Sequence, residues 1–392
     1  MAAAASFDAI TVPDLRRAGS VKWSTFPECI GAFIAEMDFG TAPTITQALH
    51  SAIDVGLLGY LPAAVADAMS EAAADWQKAT YGWPVRPDQI HPMADVLKGM
   101  EVAIAHYSAP GAPVILPTPA YMPFFSVPPA LGRRIIEVPL TFVDGRYAMD
   151  LDGLERSFQA GGSLLVLCNP CNPVGRVFSR AELVAISEVV ARNGGRVFAD
   201  EIHAPLVYPG HTHVPYASIS PEAAGHTITA TSASKAWNLP GLKCAQIIIS
   251  NDADAAVWDD IGPMTSHGAS NLGVIANTVA FTTGREWLDQ VIAYNDQNRL
   301  ALADLLAEHI PAIRYVPPEG TYIAWLDGRE LGLGDRPADF FREKAGVAMT
   351  DGVACGAPGT GFMRFIFATP RPILEQAVLQ MADALKAAHR PD

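Results

Sequence analysis

Three polar segments follow short apolar runs of the chain, and their side chains could act together in chemistry. They are residues 169–175 with two asparagines, 200–203 with an aspartate and a histidine, and 232–235 with a lysine. The runs before them are aliphatic and have the length of strands. Because the carboxyl ends of parallel strands meet at one crevice, the sequence predicts that the three segments line a common ligand site.

The functional groups of these segments suit one kind of cofactor. An amide, a carboxylate and an amine match the phenolic oxygen, the ring nitrogen and the aldehyde of pyridoxal phosphate. A buried Asp200 would keep a pyridine nitrogen protonated, so that the ring can accept electrons from a carbanion. Lys235 would supply the amine for a Schiff base. The residues therefore indicate pyridoxal 5'-phosphate as cofactor.

The elements that must position these groups alternate along the chain. Strand-length aliphatic runs alternate with helical stretches, which is typical of an α/β fold with a mostly parallel sheet between helices. One helix is well signalled, because Ser179 and Glu182 form a capping box and Asn193-Gly194-Gly195 ends it. The predicted strands are residues 113–116, 134–138, 163–167, 196–199, 227–230 and 245–250.

The pattern of predicted helices and strands changes after Gly284. A helical stretch over 286–309, strands over 322–326 and 362–367, and a last helix over 372–388 indicate a second, smaller α+β unit. The N-terminal part reads as irregular up to about Gly40, followed by helices over 42–56 and 63–80. We therefore predict three parts. They are an N-terminal segment 1–45 that contributes to the small domain, a large cofactor-binding domain 46–284 and a C-terminal small domain 285–392.

The motifs, taken in order, resemble those of a known family. Asn-Pro-x-Asn-Pro-x-Gly, Asp-Glu-x-His and Ser-x-Ser-Lys resemble fold-type I pyridoxal-phosphate enzymes, the aspartate aminotransferase superfamily. Within it, Ala35-Glu-Met-Asp-Phe39, Thr118-Pro-Ala-Tyr121, the Asp-Glu-Ile-His form and Met363-Arg-Phe-Ile-Phe367 most resemble the MalY/PatB group of cystathionine β-lyases, or C-S lyases. The likeness runs from about residue 23 to about 385. It implies an aspartate-aminotransferase-like large domain with a small domain built from both chain ends.

The resemblance implies roles at the cofactor ring. Lys235 matches the Schiff-base lysine that also removes the Cα proton, and Asp200 matches the partner of the pyridine nitrogen. Asn172 matches the amide that binds O3′, and Tyr121 matches the ring that stacks on the pyridine face. His203 stands where many aminotransferases have a tyrosine that donates to O3′, so a histidine there favours the lyase group.

The resemblance also implies a phosphate site. The helix start at Ala94-Asp95-Val96 offers unpaired N–H groups to an anion. Ser232 and Ser234 could add hydroxyl donors, and Lys243 falls where many aminotransferases carry a phosphate-binding arginine. Tyr60 matches the tyrosine that reaches the phosphate of the neighbouring subunit, which implies a homodimer with shared active sites.

The substrate side of the site is implied in the same way. Arg364 matches the arginine that clamps the α-carboxylate of an amino-acid substrate through two parallel hydrogen bonds. The backbone around Ala35 should face that carboxylate, and Asn172 should lie beside it. The implied reaction is α,β-elimination from L-cystathionine or other cysteine S-conjugates to a thiol, pyruvate and ammonia.

Two other functions use the same residues. A class I/II aminotransferase needs the same groups, and the choice depends on whether the cofactor is reprotonated before a leaving group departs. A regulatory protein could keep fold and cofactor and work by binding a partner. Against the regulatory interpretation, the sequence lacks an attached helix-turn-helix segment and retains Lys235, Asp200 and Arg364.

Composition excludes several classes of protein. The chain has 392 residues, 50% apolar and 17% charged, which excludes a disordered, collagen-like or disulfide-stapled chain. Its 27 Lys and Arg against 41 Asp and Glu give a formal net charge of −14. An acidic surface without basic runs is not expected to bind nucleic acid.

Cysteine usage and the N-terminus favour the cytoplasm. Five cysteines form an odd, sparse set, and MAAAASFDAI lacks the basic and apolar regions of a signal peptide. No run reaches the roughly 18–20 apolar residues of a membrane span, so we expect no membrane partner. Cys168 and Cys171 have CxxC spacing, but no helix starts at the first to lower its pKa as redox motifs require. His211 and His213 are expected to be solvated, and no metal is expected.

Overall fold

The computed structural model describes residues 6–388, so the first five residues of MAAAASFDAI lie outside the described residues. A seven-stranded sheet forms the centre of the larger part of the molecule. Its strands, in order across the sheet, are Ile90–Met93, Ala245–Ile249, Thr227–Thr231, Arg196–Asp200, Leu164–Cys168, Val114–Thr118 and Ile135–Pro139. The α/β prediction is confirmed.

The sheet is mostly parallel, as predicted. The strands from Thr227–Thr231 to Ile135–Pro139 pair in parallel, whereas Ala245–Ile249 is antiparallel to both of its neighbours. The six predicted strands agree with the observed ones to within one residue at each end, apart from the later end of the Val114–Thr118 strand. The edge strand Ile90–Met93 was missed because it is short and contains Pro92, a residue tolerated only where one ladder is absent.

Helices cover both faces of this sheet. Ser179 caps its helix as predicted, since its hydroxyl accepts from the Glu182 N–H and its own N–H donates to the Glu182 carboxylate. The longer helices are Pro43–Asp54, Ala63–Tyr81, Val96–His106, Leu151–Gln159, Arg180–Arg192, Asp252–Thr265, Asn271–Thr283, Arg285–His309 and Arg371–Ala388. Single helical turns or short helices are Val127–Ala130, Pro221–Gly225, Pro337–Phe340 and the π-helical Phe341–Ala345.

The expectation of an irregular N-terminal part is wrong for residues 12–24. Helices occupy Val12–Ala18 and Val21–Ser24, and a capping box between Thr11 and Asp14 starts the first. The signal was present in the sequence as Thr-x-x-Asp with a proline between. It was overlooked because the helix that follows spans only two turns.

A second, four-stranded antiparallel sheet belongs to the C-terminal part. Its strands are Arg314–Tyr315, Ile323–Asp327, Phe362–Ile366 and Thr350–Asp351. Nearby, Ile30–Gly31 pairs in parallel with Val347–Ala348, so the N-terminal segment is tied to this region by backbone hydrogen bonds. A separate hairpin joins Thr141–Val143 and Arg146–Ala148. The pairing supports a small domain built from both chain ends, and the boundaries 1–45, 46–284 and 285–392 stay a prediction.

Alternate residues of the central strands pack into different apolar layers. Leu165 and Val197 lie in one layer, and Val166 and Phe198 lie in the other. With both faces covered, the carboxyl ends of the strands are the place where polar side chains can gather. Within residues 6–388 no helix is both long and apolar enough to cross a membrane.

Candidate active site

A cavity of about 170 Å³ lies at the carboxyl ends of the central strands. Every candidate residue of the sequence analysis except Tyr60 and Arg364 lines it. These residues are Ala35, Ala94, Asp95, Val96, Tyr121, Asn172, Asp200, His203, Ser232, Ser234, Lys235 and Lys243. The topology thus brings together groups as far apart in the sequence as Ala35 and Lys243.

Asp200 ends its strand inside this cavity and is 4% exposed. Its Oδ1 accepts a hydrogen bond from the Ile202 N–H at 3.0 Å. Burial raises the pKa of Asp200 to about 7, opposed by that hydrogen bond and by the charge of Lys235. The carboxylate therefore lacks a close cationic partner among the described residues.

Lys235 extends into the same cavity. Its Nζ donates to the backbone oxygen of Ala35 at 3.0 Å. Burial lowers the pKa of Lys235 to about 8, and the charge of Arg364 acts in the same direction, against Glu36 and Asp200. A larger fraction of this amine is neutral near pH 7–8 than for an ordinary lysine, which suits a nucleophile and a base.

His203 lies beside these two groups and is almost fully buried. Burial holds its pKa well below the usual range, and the charges of Lys235 and Arg364 act in the same direction. Its Nδ1 has no hydrogen-bond partner among the described residues. A buried ring nitrogen without a partner is costly unless a ligand or water supplies one.

Arg364 lies on the strand Phe362–Ile366 and reaches the edge of the site. It is 1% exposed, and its Nε donates to Oδ1 of Asn172 at 3.1 Å. Its Nη1 donates to the backbone oxygen of Phe33 at 2.9 Å. Within the described residues these bonds use two of the five N–H donors of the guanidinium. The others can bind a carboxylate.

The cavity lining also includes a helix start and a second lysine. The helix Val96–His106 begins there, and Asp95 caps it by accepting from the Lys98 N–H at 2.9 Å. The Nζ of Lys243 lies 3.1 Å from the other carboxylate oxygen of Asp95. Lys243 has a backbone φ of 50°, a left-handed conformation that few non-glycine residues adopt.

The two serines of this lining have different hydrogen bonds. The hydroxyl of Ser232 donates to the backbone oxygen of Cys244 at 2.7 Å and accepts from the Ser234 N–H at 2.9 Å. The hydroxyl of Ser232 has one proton, and in this structure that proton is already used in the bond to Cys244. Ser234 stays a candidate hydroxyl donor.

The two candidate tyrosines lie in different places. Tyr121 lines the cavity, and its ring meets Phe124 edge to face with centroids 5.4 Å apart. Burial raises the pKa of Tyr121. Tyr60 is 99% exposed and lies outside the cavity of its own chain, in the segment between two helices.

Sequence reasoning missed Tyr322 and misjudged His213. Tyr322 is fully buried, and its hydroxyl donates to the Ala35 oxygen that also accepts from Lys235. Its position before a buried strand was the available signal. The expectation of solvation is wrong for His213, which is 3% exposed with its Nε2 3.1 Å from Oε2 of Glu201.

Two cysteines near the site lie in surroundings that disfavour thiolates. Cys168 lines the cavity and Cys171 is buried behind it. Burial raises the pKa of both thiols, that of Cys171 to about 12. Protonated thiols are poor nucleophiles, which supports the rejection of a redox role.

The donor set fits pyridoxal phosphate on structural grounds. A protonated pyridine nitrogen would give Asp200 the cationic partner that it lacks, and a phenolic oxygen could meet His203 and Asn172. The amine of Lys235 is available to an aldehyde. The helix start at Val96 and the cation of Lys243 suit a phosphate.

Comparisons with known proteins agree with this arrangement. The family model for aminotransferase class I and II matches residues 29–379. The cystathionine β-lyase of Corynebacterium glutamicum is 37% identical over 374 residues, which cover 95% of this chain and 98% of the relative. The cystathionine β-lyase PatB of Bacillus subtilis is 33% identical, over 88% of this chain and 91% of the relative.

A solved structure is similar over the same length. The crystal structure of a proposed pyridoxal-phosphate-dependent β-cystathionase from Corynebacterium diphtheriae superposes with a TM-score of 0.92 and 40% identity. The match covers 96% of this chain and 98% of the other. The predicted resemblance to this group is confirmed, and the chain belongs to the class I and II aminotransferase family.

Proposed function

We propose that this protein is a pyridoxal-phosphate-dependent carbon–sulfur β-lyase. It cleaves L-cystathionine or another cysteine S-conjugate, with one water consumed, to a thiol, pyruvate and ammonia. The observation that carries the proposal is that one cavity holds the Lys235 amine and the Asp200 carboxylate, which has no cationic partner among the described residues, while the buried Arg364 guanidinium is bonded to Asn172 at its edge. The names of the full-length relatives support the same reaction class.

The bound cofactor would supply an aldehyde for the substrate amine and a ring that withdraws electrons from Cα. Asp200 would hold the proton on the ring nitrogen, which keeps that ring electron-poor. Asn172 and His203 would meet the phenolic oxygen, and Tyr121 would stack on the ring face. These contacts fix the plane against which the substrate is oriented.

The substrate is held and deprotonated by groups of the same site. Arg364 would bind the α-carboxylate, which orients the Cα–H bond relative to the ring plane. Lys235 would take the proton from Cα as its neutral amine. The lowered pKa of Lys235 keeps that amine available near neutral pH. Loss of the thiolate from Cβ then completes the elimination.

The phosphate would lie at the start of the helix Val96–His106, near Ala94, Lys243 and Ser234. Tyr60 would reach the phosphate of a second copy of the chain. Its complete exposure supports this role, because an aromatic side chain bare in one chain is suited to a contact with another. We therefore propose a homodimer with shared active sites, located in the cytoplasm.

The direct test is pyruvate release from L-cystathionine by the pure protein. Lys235→Ala should lower the rate about a thousandfold or more, because both nucleophile and base are lost. Lys98→Ala is a matched control, since Lys98 is a part-exposed lysine paired with Glu101. Amino-group transfer to 2-oxoglutarate without pyruvate from any S-conjugate would contradict the lyase and favour an aminotransferase.

A further inference from the structure

We infer that Tyr322 is a positioning residue for Lys235, acting through the backbone oxygen of Ala35. The Nζ of Lys235 and the hydroxyl of Tyr322 both donate to that oxygen, at 3.0 and 3.1 Å. A carbonyl oxygen has two lone pairs, so it accepts both bonds at once. Only the catalytic consequence of this arrangement rests on the proposed function.

Tyr322 acts as a permanent donor in this arrangement. The side chain is fully buried, and burial raises the pKa of its hydroxyl far above the physiological range. The hydroxyl therefore keeps its proton and donates it to the Ala35 oxygen. A phenylalanine would fill nearly the same volume without that bond, so packing alone does not require a tyrosine.

The Ala35 oxygen belongs to a rigid segment. Asn238 brackets the neighbouring Met37, because its Oδ1 accepts from the Met37 N–H and its Nδ2 donates to the Met37 oxygen, both at 3.0 Å. The next residue, Asp38, is held by a buried ion pair with Lys22 at 2.7 Å. The segment that follows Ala35 is therefore held by side-chain bonds on two consecutive residues.

The backbone before Tyr322 is strained. Thr321 is β-branched and fully buried, yet it has a φ of 69°. Its N–H donates to the Leu206 oxygen at 2.7 Å, and its own oxygen accepts from the Tyr208 hydroxyl at 2.5 Å. Strain held in this way is typical of functional sites. Here it directs the next residue, Tyr322, at Ala35.

The geometry has a consequence for proton transfer at Lys235. When a neutral amine donates one N–H to the Ala35 oxygen, its lone pair points away from that oxygen. Fixing the acceptor through Tyr322 thus fixes the direction from which Lys235 accepts a proton. The charged groups that face Lys235, namely Arg364, Glu36 and Asp200, are unchanged when only the Tyr322 hydroxyl is removed.

The test compares Tyr322→Phe with Tyr315→Phe in the full-length protein. Tyr315 is the matched control, because its buried hydroxyl has no partner among the described residues. Its strand pairs with Ile323–Asp327, the strand that directly follows Tyr322. The first readout is the labelling of Lys235 by a small amine-reactive reagent in cofactor-free protein. The extent of labelling is measured by mass spectrometry as a function of pH. The second is kcat and KM of the loaded enzyme.

Tyr322→Phe should raise the labelling pKa of Lys235 by about half a unit to one unit, because the Ala35 oxygen then presents its full dipole to the ammonium. It should lower kcat about tenfold and leave KM within about twofold. Tyr315→Phe should match the unchanged protein in both readouts.

An unchanged labelling profile would overturn the inference, even with a lower kcat, because a purely structural role predicts that result. The labelling needs neither substrate nor cofactor. A protein that released no pyruvate would therefore contradict the proposed function and leave the result on Tyr322 intact.

Discussion

The Nε of Arg364 lies 3.1 Å from Oδ1 of Asn172, a residue 192 positions earlier in the chain. Arg364 belongs to the four-stranded sheet, whereas Asn172 follows the strand Leu164–Cys168 of the central sheet. The bond joins the proposed carboxylate clamp to the proposed O3′ ligand. The proposed binding position of the substrate carboxylate is therefore formed by residues from both sheets.

Arg364→Lys should lower kcat/KM about a hundredfold, with most of the loss in KM. A lysine cannot donate from a planar fork to the carboxylate and also reach Asn172, so one or two charge-assisted hydrogen bonds are lost. The measurement is steady-state pyruvate release over a range of L-cystathionine concentrations. Arg336→Lys, a change at an exposed arginine, is the control and should alter neither constant.

Asp200→Asn should lower the activity of the loaded protein but raise the stability of the cofactor-free protein. The loaded variant should lose pyruvate formation at least about a hundredfold, because the ring nitrogen loses its countercharge. The cofactor-free variant should be more stable than the unchanged protein at pH 8. The pKa of Asp200 rises on folding from 3.8 to about 7, so the native state binds this proton more tightly than the unfolded state does.

The sign of this effect sets its pH window. The contribution of Asp200 to stability is fully present below pH 3.8, decreases as the pH rises to about 7 and is constant above that. The free energy of unfolding of cofactor-free Asp200→Asn should exceed that of the unchanged protein by up to roughly 4 kcal/mol at pH 8, and by less at pH 5. Urea unfolding at both pH values measures the gap.

A control variant tests whether this difference in the free energy of unfolding arises because the carboxylate has no cationic partner. Asp254 is also buried but pairs with Arg196, so Asp254→Asn should lower the free energy of unfolding at pH 8. Equal stability of Asp200→Asn and the unchanged protein at pH 8 would show that the Asp200 carboxylate is not penalised by burial.

The sequence predicted the positions of groups that follow strands better than those of groups that depend on packing between distant segments. Asp200 and Lys235 were placed correctly in the cavity, because strand period and strand order settle where a carboxyl end lies. Tyr322 received no role, because the contact to Ala35 spans 287 positions and involves a backbone oxygen. No local pattern in the sequence encodes such a contact.

Local capping signals were equally informative where they were used. The Ser179 capping box gave the start of the helix Arg180–Arg192 and Asn193-Gly194-Gly195 gave its end, and the similar signal at Thr11 would have given the start of the helix Val12–Ala18. His213 was misjudged for the opposite reason. Its loop looks polar and exposed in sequence, and only the tertiary structure shows the buried Glu201 that pairs with it.

Asp95→Asn should tighten cofactor binding about threefold to tenfold. Asparagine caps a helix as well as aspartate does, so the bond to the Lys98 N–H is kept. The change removes a negative charge beside the proposed phosphate and frees Lys243 from its ion pair. The gain should shrink with added salt, because both side chains are part-exposed. Titration of the cofactor-free protein with pyridoxal phosphate measures the dissociation constant.

Asp150→Asn provides the matched control for that titration. Asp150 caps the helix Leu151–Gln159 by accepting from the Gly153 N–H at 2.9 Å, and it does not line the cavity. Its replacement should leave the dissociation constant unchanged. Weaker binding in Asp95→Asn would indicate instead that the carboxylate itself contacts the cofactor.

Hybrid dimers can decide whether Tyr60 acts on the neighbouring subunit. One chain carries Tyr60→Ala and the other Lys235→Ala, each with its own affinity tag, and dimers holding both tags are purified. If Tyr60 acts across the interface, one site has both lesions and the other has neither, so about half of the unchanged activity should return. If Tyr60 acted within its own chain, both sites would be damaged and no activity would return.

The control for this experiment pairs Lys235→Ala with Arg364→Ala. Arg364 contacts Asn172 of the same chain, so in that hybrid each site has one lesion and activity should stay at the level of the single variants. Recovery in the Tyr60 hybrid alone would establish both the dimer and the shared site. Recovery in neither hybrid would contradict the shared site, because the exposed Tyr60 would then have no role beyond its own chain.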